Sequence, residues 1–170
     1  MSAPRVVLVG PMGVGKTTVG RLLADDLGLT LRDTDEEIVR RVGLSIQDLF
    51  VERGEAYFRE LERQQVATSL AEHDGVVSLG GGAVLDPETR ALLRDHTVVF
   101  LRVGLADAVK RVGLNSGRPL LLGNVRGRIR TLLEERAPMY ESVATVVVDT
   151  DGRTAREVAD EVHVWLKEHT

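Results

Sequence analysis

The chain has 170 residues, 43% of them hydrophobic and 28% charged, with a net charge of −4 and no cysteine. That length suits one ordinary domain with its own core, and the composition excludes a disordered chain. The missing cysteines exclude disulfides, thiolate nucleophiles and Cys-based zinc sites, and the acidic balance argues against a general nucleic-acid binder. No apolar run reaches bilayer-spanning length, and Met1–Val9 show no basic-then-apolar secretory pattern, so a cytoplasmic protein is expected.

Arg5–Val9 reads as a buried strand, short and β-branched, ended by Gly10. Thr17–Leu27 reads as a helix with Val19, Leu22, Leu23 and Leu27 on one side and Gly28 as its stop. A second strand is expected at Leu29–Arg32, short helices at Glu36–Val42 and Ile46–Phe50, and a longer helix at Ala56–Leu70. Val76–Leu79 makes a third strand before three glycines, Pro87–Arg94 a helix, and Thr97–Val103 a fourth strand. Helix Ala106–Val112 precedes Gly113–Gly127, whose four glycines and one proline read as a loop. Ile129–Tyr140 is helical, Ala144–Val148 a fifth strand and Ala155–His169 a closing helix. Alternating strands and helices with nearly continuous apolar strand runs predict an α/β fold whose parallel sheet is covered on both faces. No linker, repeat or low-complexity tract divides residues 1–170, so a single domain is expected. Ligands in such sheets gather at the carboxyl ends of the strands, which directs attention to the residues just after Val9, Arg32 and Leu79.

Gly10-Pro-Met-Gly-Val-Gly-Lys-Thr17 comes after the first strand and opens the first helix, the context that a phosphate-binding loop requires. Its glycines allow backbone N–H groups to point at phosphate oxygens, Lys16 reaches the β- and γ-phosphates, and the Thr17 hydroxyl suits Mg²⁺. The helix beginning there aims its positive end at the same anion. This pattern implies nucleotide binding; it does not identify the reaction.

Asp33-Thr-Asp35 after the second strand places two carboxylates beside the phosphate loop, where one can hold Mg²⁺ and the other meet an acceptor hydroxyl; helix capping is the alternative. Arg59 and Glu62 share a helix face, the spacing of an ion pair. Gly80-Gly81-Gly82 allow close backbone approach to a ligand, or merely a flexible turn. Arg118 lies in the Gly-containing loop, either as part of a lid over ATP or on an exposed surface. Arg136 ends a predicted helix, where it can bind terminal carbonyls without any ligand.

The ordered set Asp33-Thr-Asp35, Phe58-Arg59, Gly80-Gly-Gly82, Arg118-Pro-Leu-Leu121 and Arg136-Ala-Pro-Met-Tyr140, added to the phosphate loop, resembles the shikimate kinase family along essentially the whole chain. The resemblance implies a three-layer P-loop kinase fold, a five-stranded parallel sheet in order 2-3-1-4-5 flanked by helices. A shikimate-binding subregion is implied at about 33–62 and a mobile lid at about 113–127. It implies transfer of the ATP γ-phosphate to the 3-hydroxyl of shikimate in chorismate and aromatic amino-acid synthesis. Gly13, Val14, Gly15, Lys16, Thr17 and Thr18 are then expected on the ATP phosphates, with Arg118 reaching them from the lid and Arg111 and Arg153 flanking adenine. Thr17, and Asp33 through water, are expected on Mg²⁺. Asp35, Arg59, Gly80, Gly81, Gly82 and Arg136 are expected around shikimate, with Asp35 as candidate general base, Lys16 and Arg118 as its catalytic companions, and Glu62 steadying Arg59. The implied partners are ATP and shikimate, with no nucleic acid and no membrane, and the chain is expected to act as a monomer. A gluconate- or nucleotide-type kinase of the same fold, or a nucleotide-binding regulatory module, remains an alternative at this point.

Overall fold

The computed structural model describes residues 3–116 and 125–169. Five parallel strands form one sheet: β1 (Val6–Val9), β2 (Leu31–Asp33), β3 (Val76–Ser78), β4 (Val98–Arg102) and β5 (Val146–Asp149). Their spatial order is β2-β3-β1-β4-β5, as the resemblance implies. β1 is central: Val6 pairs with Val76 on one side and Val7 with Val98 on the other. The helices are α1 (Lys16–Leu27), α2 (Thr34–Val42), α3 (Ile46–Arg53), α4 (Glu55–Glu72), α5 (Pro87–Leu93), α6 (Leu105–Ser116), α7 (Val125–Val143) and α8 (Ala155–Glu168).

Alternation along the strands divides the core. Val6, Leu8, Val99 and Leu101 face α1 and α8, meeting Val19, Leu23, Val158 and Val162. Val7, Val9, Val77 and Phe100 face the other way, onto Val66 and Leu70 of α4 and Tyr140 and Val143 of α7. Both faces of the central strands β1, β3 and β4 are buried, which is why these strand sequences read as continuous apolar runs. Ile38, Leu49 and Phe58 form a separate small cluster that joins α2, α3 and the start of α4. No helix among the described residues is long and apolar enough to cross a membrane.

The expected loop at 113–127 is corrected at both of its ends, which are helical. α6 continues through Ser116 and α7 already begins at Val125. The tertiary contact between these two helices offsets the cost of about 1 kcal/mol that a helical glycine such as Gly113 or Gly127 carries. Arg118 and the core of the expected lid lie outside the described residues. α7 also runs past Tyr140 to Val143 with Pro138 inside it, so Arg136 sits within a helix and not at its carboxyl end. A short 3₁₀ turn at Ala83–Leu85 succeeds the three glycines, where the sequence pattern suggests only a plain turn.

Candidate active site

Gly15 adopts φ +97°, a left-handed conformation that suits glycine, and turns the chain from β1 into α1. No side chain caps α1, whereas Asp33, Ser45, Asp86 and Thr154 cap α2, α3, α5 and α8. The first N–H groups of α1 are thus left to an anion. Lys16 is 8% exposed, and its Nζ donates to the carbonyls of Gly10 and Pro11 at 2.7 and 2.9 Å. Burial lowers its pKa to about 8, against the opposing pull of Asp35 and Asp33.

Two clefts share the phosphate loop. One of about 240 Å³ is lined by Gly13, Val14, Gly15 and Thr18 together with Arg111 and Arg153, the residues expected around the nucleotide. Arg111 donates to the carbonyls of Val14 at 2.7 Å and Thr150 at 3.4 Å, so α6 braces the loop directly. Arg153 donates to the Asp149 carbonyl and pairs with Glu161. The other cleft, about 220 Å³, is lined by Lys16, Thr17, Asp33, Asp35, Gly80 and Gly81 among others.

Capping and site chemistry divide between the two aspartates. Asp33 is the N-cap of α2: its Oδ1 accepts from the Glu36 N–H at 3.1 Å, and its Oδ2 accepts the Thr17 hydroxyl at 2.8 Å. A threonine hydroxyl that donates in this way keeps its lone pairs for a cation, so Thr17 and Asp33 fit the hard-oxygen environment that Mg²⁺ requires. Asp35 lies in the first turn of α2 and turns back into the cleft. Its Oδ1 is buried with no hydrogen-bond partner among the described residues, and burial, helped by Asp33, raises its pKa. A buried carboxylate oxygen left in this way calls for a donor from a ligand.

The three glycines hold the rest together by being small. A Cβ on Gly80 would stand 2.7 Å from Asp35 Oδ1, one on Gly81 would stand 3.7 Å from Arg136 Nη1, and one on Gly82 would stand 2.4 Å from Arg59 Nη1. Gly80 therefore makes room for Asp35 and Glu62 and Gly82 for Arg59, while Arg136 lies at ordinary contact distance from Gly81, so two carboxylates and two guanidinium groups converge on a single turn. Thr34, fully buried, accepts from the Gly80 N–H at 3.3 Å. Arg59 donates to Glu62 at 2.8 Å, the ion pair that their spacing predicts, and also pairs with Glu55. Burial raises the Glu62 pKa while Arg59 lowers it. Two contributors escape sequence reasoning: Thr34, hidden between two more conspicuous aspartates, and Tyr140, whose hydroxyl donates to the Gly81 carbonyl at 2.6 Å.

The family model for shikimate kinase matches residues 12–167. A shikimate kinase of Streptomyces coelicolor is 60% identical over 158 residues, 93% of this chain and 92% of its own length. That of Thermobifida fusca is 57% identical over 159 residues, 94% and 92% of the two chains. The solved structure of shikimate kinase from Acinetobacter baumannii in complex with shikimate is similar with a TM-score of 0.90 at 34% identity, covering 100% of this chain and 96% of that one. Similarity of that depth along nearly the whole chain leaves one conclusion: this protein belongs to the shikimate kinase family.

Proposed function

We propose that this protein transfers the γ-phosphate of ATP to the 3-hydroxyl of shikimate, giving shikimate 3-phosphate and ADP. The observation that carries the residue assignments is the glycine turn, at which Asp35, Arg136 and Arg59 converge beside the phosphate loop. Shikimate is a small ring with a carboxylate at one end and hydroxyls at the other. Two planar guanidinium forks suit the carboxylate, and a lone carboxylate oxygen suits a hydroxyl.

In the reaction the 3-oxygen bonds to the γ-phosphorus as the bond to the β-bridging oxygen breaks, and the hydroxyl proton passes to Asp35 Oδ1 and on to solvent. Phosphoryl transfer is loose, so holding the two reactants in line and neutralising charge matter most. Arg59 and Arg136 fix the ring, and Glu62 fixes Arg59. Lys16 and the uncapped N–H groups of α1 neutralise the phosphates. Thr17, and Asp33 through water, would hold Mg²⁺, which supplies further neutralisation of phosphate charge when bound. Arg111 keeps the phosphate loop in shape by its bond to Val14. The residues at about 33–62 form the acceptor side of the site in this reading.

ADP release measured with shikimate, with gluconate and with no acceptor tests the reading. Release is expected with shikimate alone, with product mass rising by one phosphoryl group. Turnover of gluconate in preference to shikimate would overturn the proposal.

A further inference from the structure

β4 and β5 stay paired to their ends: Arg102 stands opposite Asp149, and the Thr150 N–H donates to the Arg102 carbonyl at 2.9 Å. The two chains then part. Residues 103–107 lead into α6, which carries Arg111, and residues 151–154, Arg153 among them, lead into α8. Beyond Thr150 no backbone–backbone hydrogen bond joins the two segments among the described residues. Two carboxylates join them instead, one reaching each way. Both oxygens of Asp151 accept from the Gly104 N–H, at 2.9 and 3.0 Å, and Asp107 Oδ2 accepts from the Gly152 N–H at 3.1 Å. The approach is close, since a Cβ on Gly104 would stand 2.7 Å from Asp151 Oδ2.

The junction matters because Arg111 and Arg153 both line the cleft of about 240 Å³, and each is fixed to its own side. Arg111 is held to the phosphate loop by its 2.7 Å bond to the Val14 carbonyl. Arg153 is held to β5 and α8 by the carbonyls of Asp149 and Glu157, at 2.9 and 3.2 Å, and by Glu161 at 2.8 Å. Arg111 meets the far side only through a long bond of 3.4 Å to the Thr150 carbonyl. The separation of the two guanidinium groups is therefore left to the two carboxylates. Their charge works against a polyanion bound in the cleft, so any gain to a nucleotide comes from the bonds they accept.

We infer that Asp151, seconded by Asp107, is a positioning residue for the nucleotide base: by clasping the start of α6 to the turn before α8, it sets Arg111 and Arg153 at the separation that admits a flat base. This inference rests on the base lying at those two arginines in the cleft.

Titration calorimetry with ADP and with inorganic tripolyphosphate, which has phosphates but no base, separates the possibilities. Asp151→Ala should raise Kd for ADP on the order of fivefold to tenfold and leave Kd for tripolyphosphate unchanged or slightly lower. Asp107→Ala should act in the same direction. Asp151→Asn keeps an acceptor oxygen and loses the charge, so its Kd for ADP should stay within about twofold of wild type. A merely structural role would lower the melting temperature without separating the two ligands. Asp151→Ala with wild-type affinity for ADP, equal weakening of both ligands, or an Asn variant as weak as the Ala variant would each overturn the inference. Arg153→Ala that binds ADP as tightly as wild type would remove the reading of the cleft on which the inference rests, while leaving the proposed acceptor chemistry standing.

Discussion

Asp35 and Arg59 face the same small volume, yet their losses should read out differently. In the proposed function Arg59 would hold the acceptor in ground and transition states alike, so Arg59→Ala should raise KM for shikimate by an amount equivalent to about 2–3 kcal/mol and spare KM for ATP. Asp35 is proposed to act at the reacting hydroxyl, so Asp35→Asn should lower kcat by about 100-fold or more. The helix cap is Asp33, so an asparagine at 35 costs α2 no capping bond. The pH profile adds a sign. Asp35 must be ionised to take the proton, and its pKa is raised, chiefly by burial. kcat/KM should therefore fall with acidification at a pH above the usual aspartate range, and that limb should vanish in Asp35→Asn. Lys16 titrates from the other direction. With a pKa of about 8 it is charged at neutral pH and loses its proton above pH 8, whereas bound phosphate favours the charged form. ATP binding should take up about half a proton at pH 8, rising toward one at pH 9, read as a binding enthalpy that changes with the ionisation heat of the buffer. An enthalpy independent of buffer would mean that Lys16 is already protonated.

At the scale of elements, two glycines separate function from folding. An alanine at Gly82 drives its methyl into the end of the Arg59 side chain, 2.4 Å from Nη1, and that end can move. Gly82→Ala should fold with a near-normal melting temperature and show KM for shikimate raised tenfold or more, on the order of the loss of a charge-assisted bond. An alanine at Gly10 meets the Leu101 carbonyl at 2.6 Å, and backbone inside a sheet does not yield. Gly10→Ala should lose roughly 1–3 kcal/mol of stability in a urea melt. The same contrast explains what could be read from the chain alone. The phosphate loop is local, eight consecutive residues between a strand and a helix, and its spacing announces it. The roles of Gly80 and Gly82 depend on Asp35 and Arg59, which only packing brings to them; the sequence shows three glycines but not what they make room for. Arg111 reaches Val14 across most of the chain, and no local pattern signals such a brace. The ends of α6 and α7 are not legible in the sequence because tertiary contact overrides the low helix propensity of glycine and the interruption at Pro138.

For the whole molecule, gathering Lys16, Asp35 and Glu62 at one end of the sheet costs stability. Each has its pKa displaced, chiefly by burial, toward the uncharged form. For Lys16 the folded value of about 8 lies below the ordinary 10.5. Between them the unfolded chain binds more protons, so the contribution of Lys16 to stability increases as pH rises from 8 toward 10.5. Lys16→Met should accordingly be more stable than the wild type at pH 7, by on the order of 2–3 kcal/mol, and the gap should narrow at pH 10. Parallel urea melts of the two proteins at both pH values measure it. A gap that stays constant would show that the lysine is not destabilised by its burial.

The strand order has a consequence for synthesis on the ribosome. β1 emerges first, an uninterrupted Val-Val-Leu-Val, and its partners are Val76 and Val98, far later in translation. Until both have left the tunnel, the strand that will carry the phosphate loop has neither neighbour to pair with, although α1, made directly after it, can already cover Val6 and Leu8. A nascent chain of this kind is exposed to aggregation for most of its elongation, because the sheet is completed from the middle outward while the chain is made from one end. The ATP site thus takes shape only after more than half of the protein has been made, although most of its motif lies near the start of the chain.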